Sequence, residues 1–106
     1  VIACIIPFNF PVELIAQKVA PALATGNAVV VKPASDTPLS AVYLMDLLHQ
    51  AGVPEEAAQL ITGSGSIVGD LIASSPLING ISLTGSTEVG IHIANCASKN
   101  LTQTFL

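Results

Sequence analysis

Short apolar runs rich in β-branched residues alternate with amphipathic stretches of helical period, and this rhythm most constrains the fold. Ala28-Val29-Val30-Val31 shows no polar alternation, so it reads as a strand buried on both faces. A strand covered on both sides needs helices above and below it. Repeated along the chain, that requirement describes a parallel α/β sheet.

The punctuation fits the same scheme. Val1–Ile6 reads as a strand closed by Pro7, and Pro11 suits the first turn of a helix over Val12–Ala24. Leu14, Ile15, Val19 and Leu23 give that helix an apolar stripe, and Pro21 is expected to weaken or kink its last turn. Thr25-Gly26-Asn27 is a stop signal. Thr37-Pro38 reads as a cap and first helical residue for Leu39–Gln50, which Gly52 and Pro54 end. Ala58–Ile61 is a third strand, followed by the turn Gly63-Ser64-Gly65-Ser66 and a helix from about Ile67 to Ala73. After the loop Ser74-Ser75-Pro76 come a strand at Gly80–Leu83, the turn Thr84-Gly85, and a helix over Ser86–Ala97. Leu101–Leu106 begins a fifth strand. The expected fold is a Rossmann-like open parallel sheet of about five strands with helices on both faces, without linker, repeat or low-complexity tract.

Composition bears on partners. Charged residues are 9% of the chain and hydrophobic ones 51%, whereas a soluble domain carries about 25% charged residues. A small domain has a large surface fraction, so this chain reads as a piece whose surface is covered by more protein. Val1 at the start and Thr104-Phe105-Leu106 at the end, in mid-pattern, give the same expectation. The net charge of −4, with Lys18, Lys32 and Lys99 as the only cations, argues against nucleic acid and against a charged membrane surface. The charge-free run Leu71–Thr87 is broken by Pro76, Gly80 and Gly85 and is too polar for a span. Cys4 and Cys96 lie far apart without metal-ligand spacing and read as small buried hydrophobes, so no metal is expected. With no signal peptide, a cytoplasmic location is the default.

In such a sheet the strand-to-helix junctions gather at one edge, where open α/β folds bind ligands. The junctions are Pro7-Phe8-Asn9-Phe10-Pro11, Lys32-Pro33-Ala34-Ser35, Gly63-Ser64-Gly65 and Thr84-Gly85-Ser86. Each has a plain structural reading beside a functional one. Gly63, Gly65 and Gly69 could form a turn with a close helix contact, or a phosphate cradle, although the spacing is not G-x-G-x-x-G. Ser86 could simply cap a helix whose dipole Glu88 complements, or its N-terminus could meet a phosphate. Lys32 could be a solvated strand end, or a cation at the mouth of a nucleotide cleft. Asn9, boxed by two phenylalanines and two prolines, could be a turn asparagine or a rigid amide donor to an oxyanion. His49 and His92 have no acid or thiol partner at a telling spacing and read as structural. Tyr43 and Met45 fall in a helical stripe and read as core, and Glu55-Glu56 reads as a solvated loop.

Taken in order, the four junctions resemble the aldehyde dehydrogenase superfamily. Pro7-Phe8-Asn9-Phe10-Pro11 resembles its P-W/F-N-F-P segment, and Val30-Val31-Lys32-Pro33-Ala34-Ser35 with Thr37-Pro38 resembles V-x-K-P-A/S-x-x-T-P. Ala51-Gly52-Val53-Pro54 followed by Gly63-x-Gly65 matches A-G-x-P and G-x-G, and Leu83–Gly90 resembles F-T-G-S-T-x-V/I-G. The resemblance implies the coenzyme-binding core of an enzyme that oxidises an aldehyde to an acid with NAD or NADP, through a cysteine thiohemiacetal and thioester. It implies that Asn9 supplies an amide to the oxyanion, that Lys32 and Ser35 face the adenosine ribose, and that Gly65 and Gly69 let the adenine approach. Thr84, Gly85 and Ser86 would hold the pyrophosphate, while Ile5, Ile6, Pro7, Phe8, Leu83 and Val89 would line the cleft. A small-molecule aldehyde is the implied substrate, and a homodimer or homotetramer the implied assembly.

Two positions depart from the family pattern. Ser35 stands where many NAD-specific members carry a glutamate, which is expected to admit NADP, and Leu83 replaces a phenylalanine. The resemblance also places the general-base glutamate just beyond Leu106 and the nucleophilic cysteine well beyond it; neither Cys4 nor Cys96 matches that cysteine's motif. Residues 1–106 are therefore expected to be part of the NAD(P)-binding domain and inactive alone. The competing readings are a non-catalytic nucleotide-binding module, a packing module, and a coenzyme-A-acylating aldehyde dehydrogenase. Asn9 speaks against the first two, and the P-F-N-F-P segment favours the hydrolytic branch over the third.

Overall fold

The computed structural model describes every residue, Val1–Leu106. Strands β1 (Ile2–Ile5), β2 (Val29–Lys32), β3 (Ala58–Leu60), β4 (Gly80–Leu83) and β5 (Gln103–Phe105) form one sheet in the order β3-β2-β1-β4-β5. Every pairing is parallel. Helices α1 (Pro11–Ala24), α2 (Leu39–Gln50), α3 (Asp70–Ala73) and α4 (Thr87–Ser98) make the crossovers. The expected α/β open sheet is the observed one. From β1 the chain winds outward through β2 to β3, then returns past β1 to β4 and β5. Because each crossover keeps one hand, this reversal puts α1 and α2 on one face and α3 and α4 on the other.

The two cores follow from the two-residue period of the central strand. Ala3 and Ile5 point toward α3 and α4, where they meet Ile72, Ala73, Ile93 and Ala97 with Ile81 and Leu83 of β4. Cys4 and Ile6 point the other way, onto Ile15, Val19, Ala41 and Met45 with Val29 and Val31 of β2. Both faces of β1 are dry, so no polar residue appears in it. Ile81 has no exposed surface; cutting such a side chain to alanine costs roughly 2–5 kcal/mol.

Local departures from the sequence reading have identifiable causes. Thr37 does not cap α2; its Oγ1 is buried without a partner. Pro38 is already helical at φ −82°, ψ −20°, and a turn from Thr37 N–H to the Ala34 carbonyl (3.2 Å) sets the hydroxyl inside. Tyr43, read as core, lies exposed on α2, whereas Met45 is buried. Pro21 lies within α1, and the helix runs to Ala24 as expected. Thr25 then closes the last turn by donating both its N–H (3.1 Å) and its hydroxyl (2.8 Å) to the Pro21 carbonyl. Gly65–Gly69 forms one turn of π-helix leading directly into α3, and Glu55–Ala57 is a single 3-10 turn. Ser86 caps α4 as expected, accepting from the Val89 N–H at 3.3 Å.

Candidate functional site

The register levels three strand ends at one edge: Ile5 lies beside Lys32 on one side and Leu83 on the other. The winding direction reverses between β1 and β4, and that switch point is where open sheets leave a crevice beyond their strand ends. A cavity of about 460 Å³ occupies it, lined by Ile5, Lys32, Gly65, Ser66, Gly69, Asp70, Glu88, Val89, His92 and Ile93. A larger depression of about 710 Å³ lies at the opposite edge, among Gly26, Asn27, Gly52, Pro54 and their neighbours. Turn residues form it, and Glu56 is its only ionisable group. Lys32, Asp70, Glu88 and His92 are at the first cavity.

Lys32 is the only charged residue in the buried set, at 4% exposure. Its Nζ donates to the Pro33 carbonyl at 3.1 Å, and burial pushes its pKa below the ordinary lysine value. An ammonium has three donors, so one neutral acceptor leaves it under-satisfied. A ligand bringing hydroxyls or an anion into the cavity would complete its shell. Gly65 and Gly69 form another wall. A Cβ built on either would meet nothing within 4 Å, so protein packing does not require glycine there. The room they leave belongs to the cavity.

Gly63 is different. Its φ is 147°, and a Cβ there would stand 2.4 Å from Val68 Cγ2, so the turn itself demands glycine. Ser35, exposed in the loop after β2, donates its hydroxyl to the Gly63 carbonyl at 3.0 Å and ties that loop to the one after β3. Leu83, Gly85 and Ser86 line a neighbouring cavity of about 310 Å³ with Thr87, Gly90, Ile91 and Leu106. The N-terminus of α4 thus separates two recesses. Of its first-turn N–H groups, which have no intrahelical acceptor, the one on Val89 is taken by Ser86.

Thr84 leads into that turn, its N–H held by the Ile5 carbonyl at 3.2 Å. Ile6 is buried under α1 and α2 and reaches neither recess. Pro7, Phe8 and Asn9 follow β1 at the same edge, with Phe8 and Asn9 exposed. Phe10 holds φ 51°, ψ 48°, a left-handed conformation unusual for a bulky residue. It turns the chain abruptly into Pro11, directly after Asn9. The structure therefore groups Ile5, Lys32, Gly65, Gly69 and Val89 around one cavity and Leu83, Gly85 and Ser86 around the next.

The aldehyde dehydrogenase family's sequence model matches residues 1–106. The chain belongs to the aldehyde dehydrogenase family. It is 44% identical over 106 residues to the D-glyceraldehyde dehydrogenase (NADP(+)) of Picrophilus torridus, covering 100% of this chain and 22% of that protein. Over 93 residues it is 50% identical to the 2,5-dioxopentanoate dehydrogenase of Saccharolobus solfataricus, covering 88% of this chain and 20% of the relative. The fold superposes on a betaine aldehyde dehydrogenase of Staphylococcus aureus, solved with NAD+, at a TM-score of 0.94 and 38% identity. That match covers 97% of this chain and 20% of the neighbour. The chain spans about a fifth of the length of the relatives it matches.

As an aldehyde dehydrogenase segment, the chain carries cavity residues that its motifs did not single out. Asp70, His92 and Ile93 line the main cavity, beside Ser66 and Glu88, which the sequence marks as turn and helix-dipole residues. His92 departs most from expectation, since its Nε2 lies 2.8 Å from Asp70 Oδ1 and 3.8 Å from Cys96 Sγ. Its i,i+4 relation to Cys96 was visible in the sequence; the contact with Asp70, 22 residues away, was not. His49 keeps the structural role expected of it, with Nε2 2.8 Å from the Ala58 carbonyl. No helix is long and apolar enough to cross a membrane.

Proposed function

We propose that residues 1–106 are the coenzyme-binding core of an NAD(P)-dependent aldehyde dehydrogenase that oxidises an aldehyde to a carboxylic acid. One observation carries the reading: the single buried cation, Lys32, lacks an acidic partner and faces a glycine-walled cavity at the switch point of the sheet. A bound nicotinamide coenzyme supplies the hydride acceptor. Lys32 donates to the adenosine ribose, and Gly65 and Gly69 leave room for the flat base. Thr84, Gly85 and Ser86 present the α4 N-terminus, where backbone N–H groups and the helix dipole favour a pyrophosphate. Ile5, Pro7, Phe8, Leu83 and Val89 make the apolar wall that keeps water from the reacting end, while Ile6, buried under α1 and α2, only backs it. Asn9, in the turn before Pro11, offers an amide N–H to the oxygen on which negative charge develops. The attacking thiol and the general base would come from protein outside these residues.

Ser35 supports acceptance of NADP in this reading. A hydroxyl can rotate from the Gly63 carbonyl to donate to a 2′-phosphate, whereas a carboxylate there would repel it. A relative named for NADP and a structural neighbour holding NAD+ are both compatible with this.

Fluorescence titration of the full-length protein with NAD and NADP, followed by aldehyde-dependent formation of reduced coenzyme, tests the proposal. Lys32→Met should weaken coenzyme binding by about tenfold or more, the loss of a charge-assisted hydrogen bond. Ser35→Glu should cut NADP affinity relative to NAD by about tenfold. Unaltered coenzyme binding by a folded Lys32→Met protein would sink the coenzyme site, and an unmoved NADP/NAD ratio would sink the role of Ser35.

A further inference from the structure

The coenzyme reading gives no role to Asp70, His92 or Cys96, and the three converge beside the main cavity, whose lining includes Asp70 and His92. His92 and Cys96 are four residues apart on α4, which puts them on one helix face. Asp70, the first residue of α3, is brought against them by the packing of α3 on α4. His92 Nε2 stands 2.8 Å from Asp70 Oδ1 and 3.8 Å from Cys96 Sγ, and the three ligand atoms all lie within 4.8 Å of one another.

An ordinary histidine–aspartate pair accounts for only part of this. The thiol approaches the same ring nitrogen that already meets the carboxylate. One nitrogen carries one proton and cannot serve two partners well. A cation in place of that proton would satisfy nitrogen, sulfur and oxygen together. Metal–ligand bonds of about 2.0–2.3 Å put the ligand atoms of a tetrahedral site roughly 3–4 Å apart. The observed separations need only small rotamer adjustments to reach this, and these side chains are exposed enough to make them. The donor set selects the ion. Magnesium and calcium take oxygen ligands, whereas imidazole, thiolate and one carboxylate suit a borderline-soft cation.

We propose that Asp70, His92 and Cys96 form a binding site for a divalent cation of the zinc class, opening on the main cavity with coordination positions left for water. Asp70 and His92 also line the coenzyme cavity, whereas Cys96 does not, so a substitution at Cys96 tests the metal site apart from the coenzyme reading.

The experiment titrates the full-length, chelator-stripped protein with Co²⁺ as a spectroscopic stand-in for Zn²⁺. The expected result is a thiolate-to-cobalt charge-transfer band with tetrahedral d–d absorption, bleached by added Zn²⁺. Cys96→Ser should abolish the band, and Asp70→Asn or His92→Ala should weaken cobalt binding by about tenfold or more. Thermal melting of each variant verifies folding, and coenzyme titration of Cys96→Ser keeps the two proposals separable. A Cys96→Ser protein that binds coenzyme normally but has lost the cobalt band supports the metal site. Absence of any band in the unsubstituted protein overturns it. So does a band that survives Cys96→Ser, because the sulfur is then another cysteine's.

Discussion

At the scale of single residues, the buried titratable groups make stability depend on pH in opposite directions. Burial pushes the Cys4 thiol from 9.0 up to about 11, while the Lys18 ammonium pulls the other way and only partly offsets it. The folded pKa is the higher one, so the protonated thiol contributes stability that is complete below pH 9 and lost as pH climbs toward about 11. Lys18, whose Nζ donates to Ser82 Oγ at 3.0 Å, and Lys32 are both held below the ordinary lysine value by burial. Below their folded pKa values both lysines carry a desolvation cost, Lys32 as a buried charge and Lys18 as a partly buried one. That cost falls as pH rises toward 10.5. Comparing the protein with Cys4→Ala removes the falling part alone. The stability difference, read from denaturant melts, should be flat below pH 9 and then shrink by roughly 3 kcal/mol on approaching pH 11. Parallel pH profiles would show that Cys4 is not protected. The residue signals legible in the sequence were those carried by chemical type. Lys32 stood out because the chain has three cations, and Asn9 because prolines and aromatics enclose it. That Lys32 would be buried without an acid depended on the arrangement of β1, β2 and α4 around it.

The elements themselves were legible where periodicity and punctuation agreed. β2 was marked by its unbroken valines, α4 by the Ser86 cap, and α2 by the glycine and proline beyond its end. Pro38 is helical as the pattern required, but Thr37 does not cap because its hydroxyl is turned into the protein, and a side chain's direction is not specified by residue type. The π-turn at Gly65–Gly69 was also hidden. Two glycines four apart permit many backbone paths, and the choice is made by Val68 against Gly63 and by Gly69 over the cavity. Gly69 adopts φ −61°, ψ −46°, ordinary for any residue, and a Cβ there has free space in the absence of ligand. Gly69→Ala should therefore leave stability unchanged or raise it by roughly 0.5–1 kcal/mol. It should also weaken coenzyme binding by about tenfold, because the added methyl takes room the ligand needs. Thermal melts and coenzyme titrations on the same preparation read both effects. A fall in stability with unchanged affinity would mean that the glycine serves packing instead.

For the whole molecule, surface rather than compactness is the difficulty. The radius of gyration of 12.6 Å is close to the roughly 13 Å expected of a self-contained domain of this length. Yet only 9% of residues are charged, and Phe8, Phe10, Leu71, Leu77, Phe105 and Leu106 lie exposed. Apolar surface combined with a short edge strand at β5 favours self-association. Residues 1–106 expressed alone should therefore elute as mixed oligomers in size-exclusion chromatography with light scattering. A monodisperse monomer would show that this surface needs no cover. By itself the sequence determined the layer architecture, because a strand apolar on both faces can be satisfied only between helices. It also determined which junctions carry unusual residues. Only the tertiary structure decided which of them meet. Residues 22 positions apart, such as Asp70 and His92, become neighbours through the crossover around β4. Local patterns record what each element must bury, but the spaces between elements are fixed by how the crossovers pack.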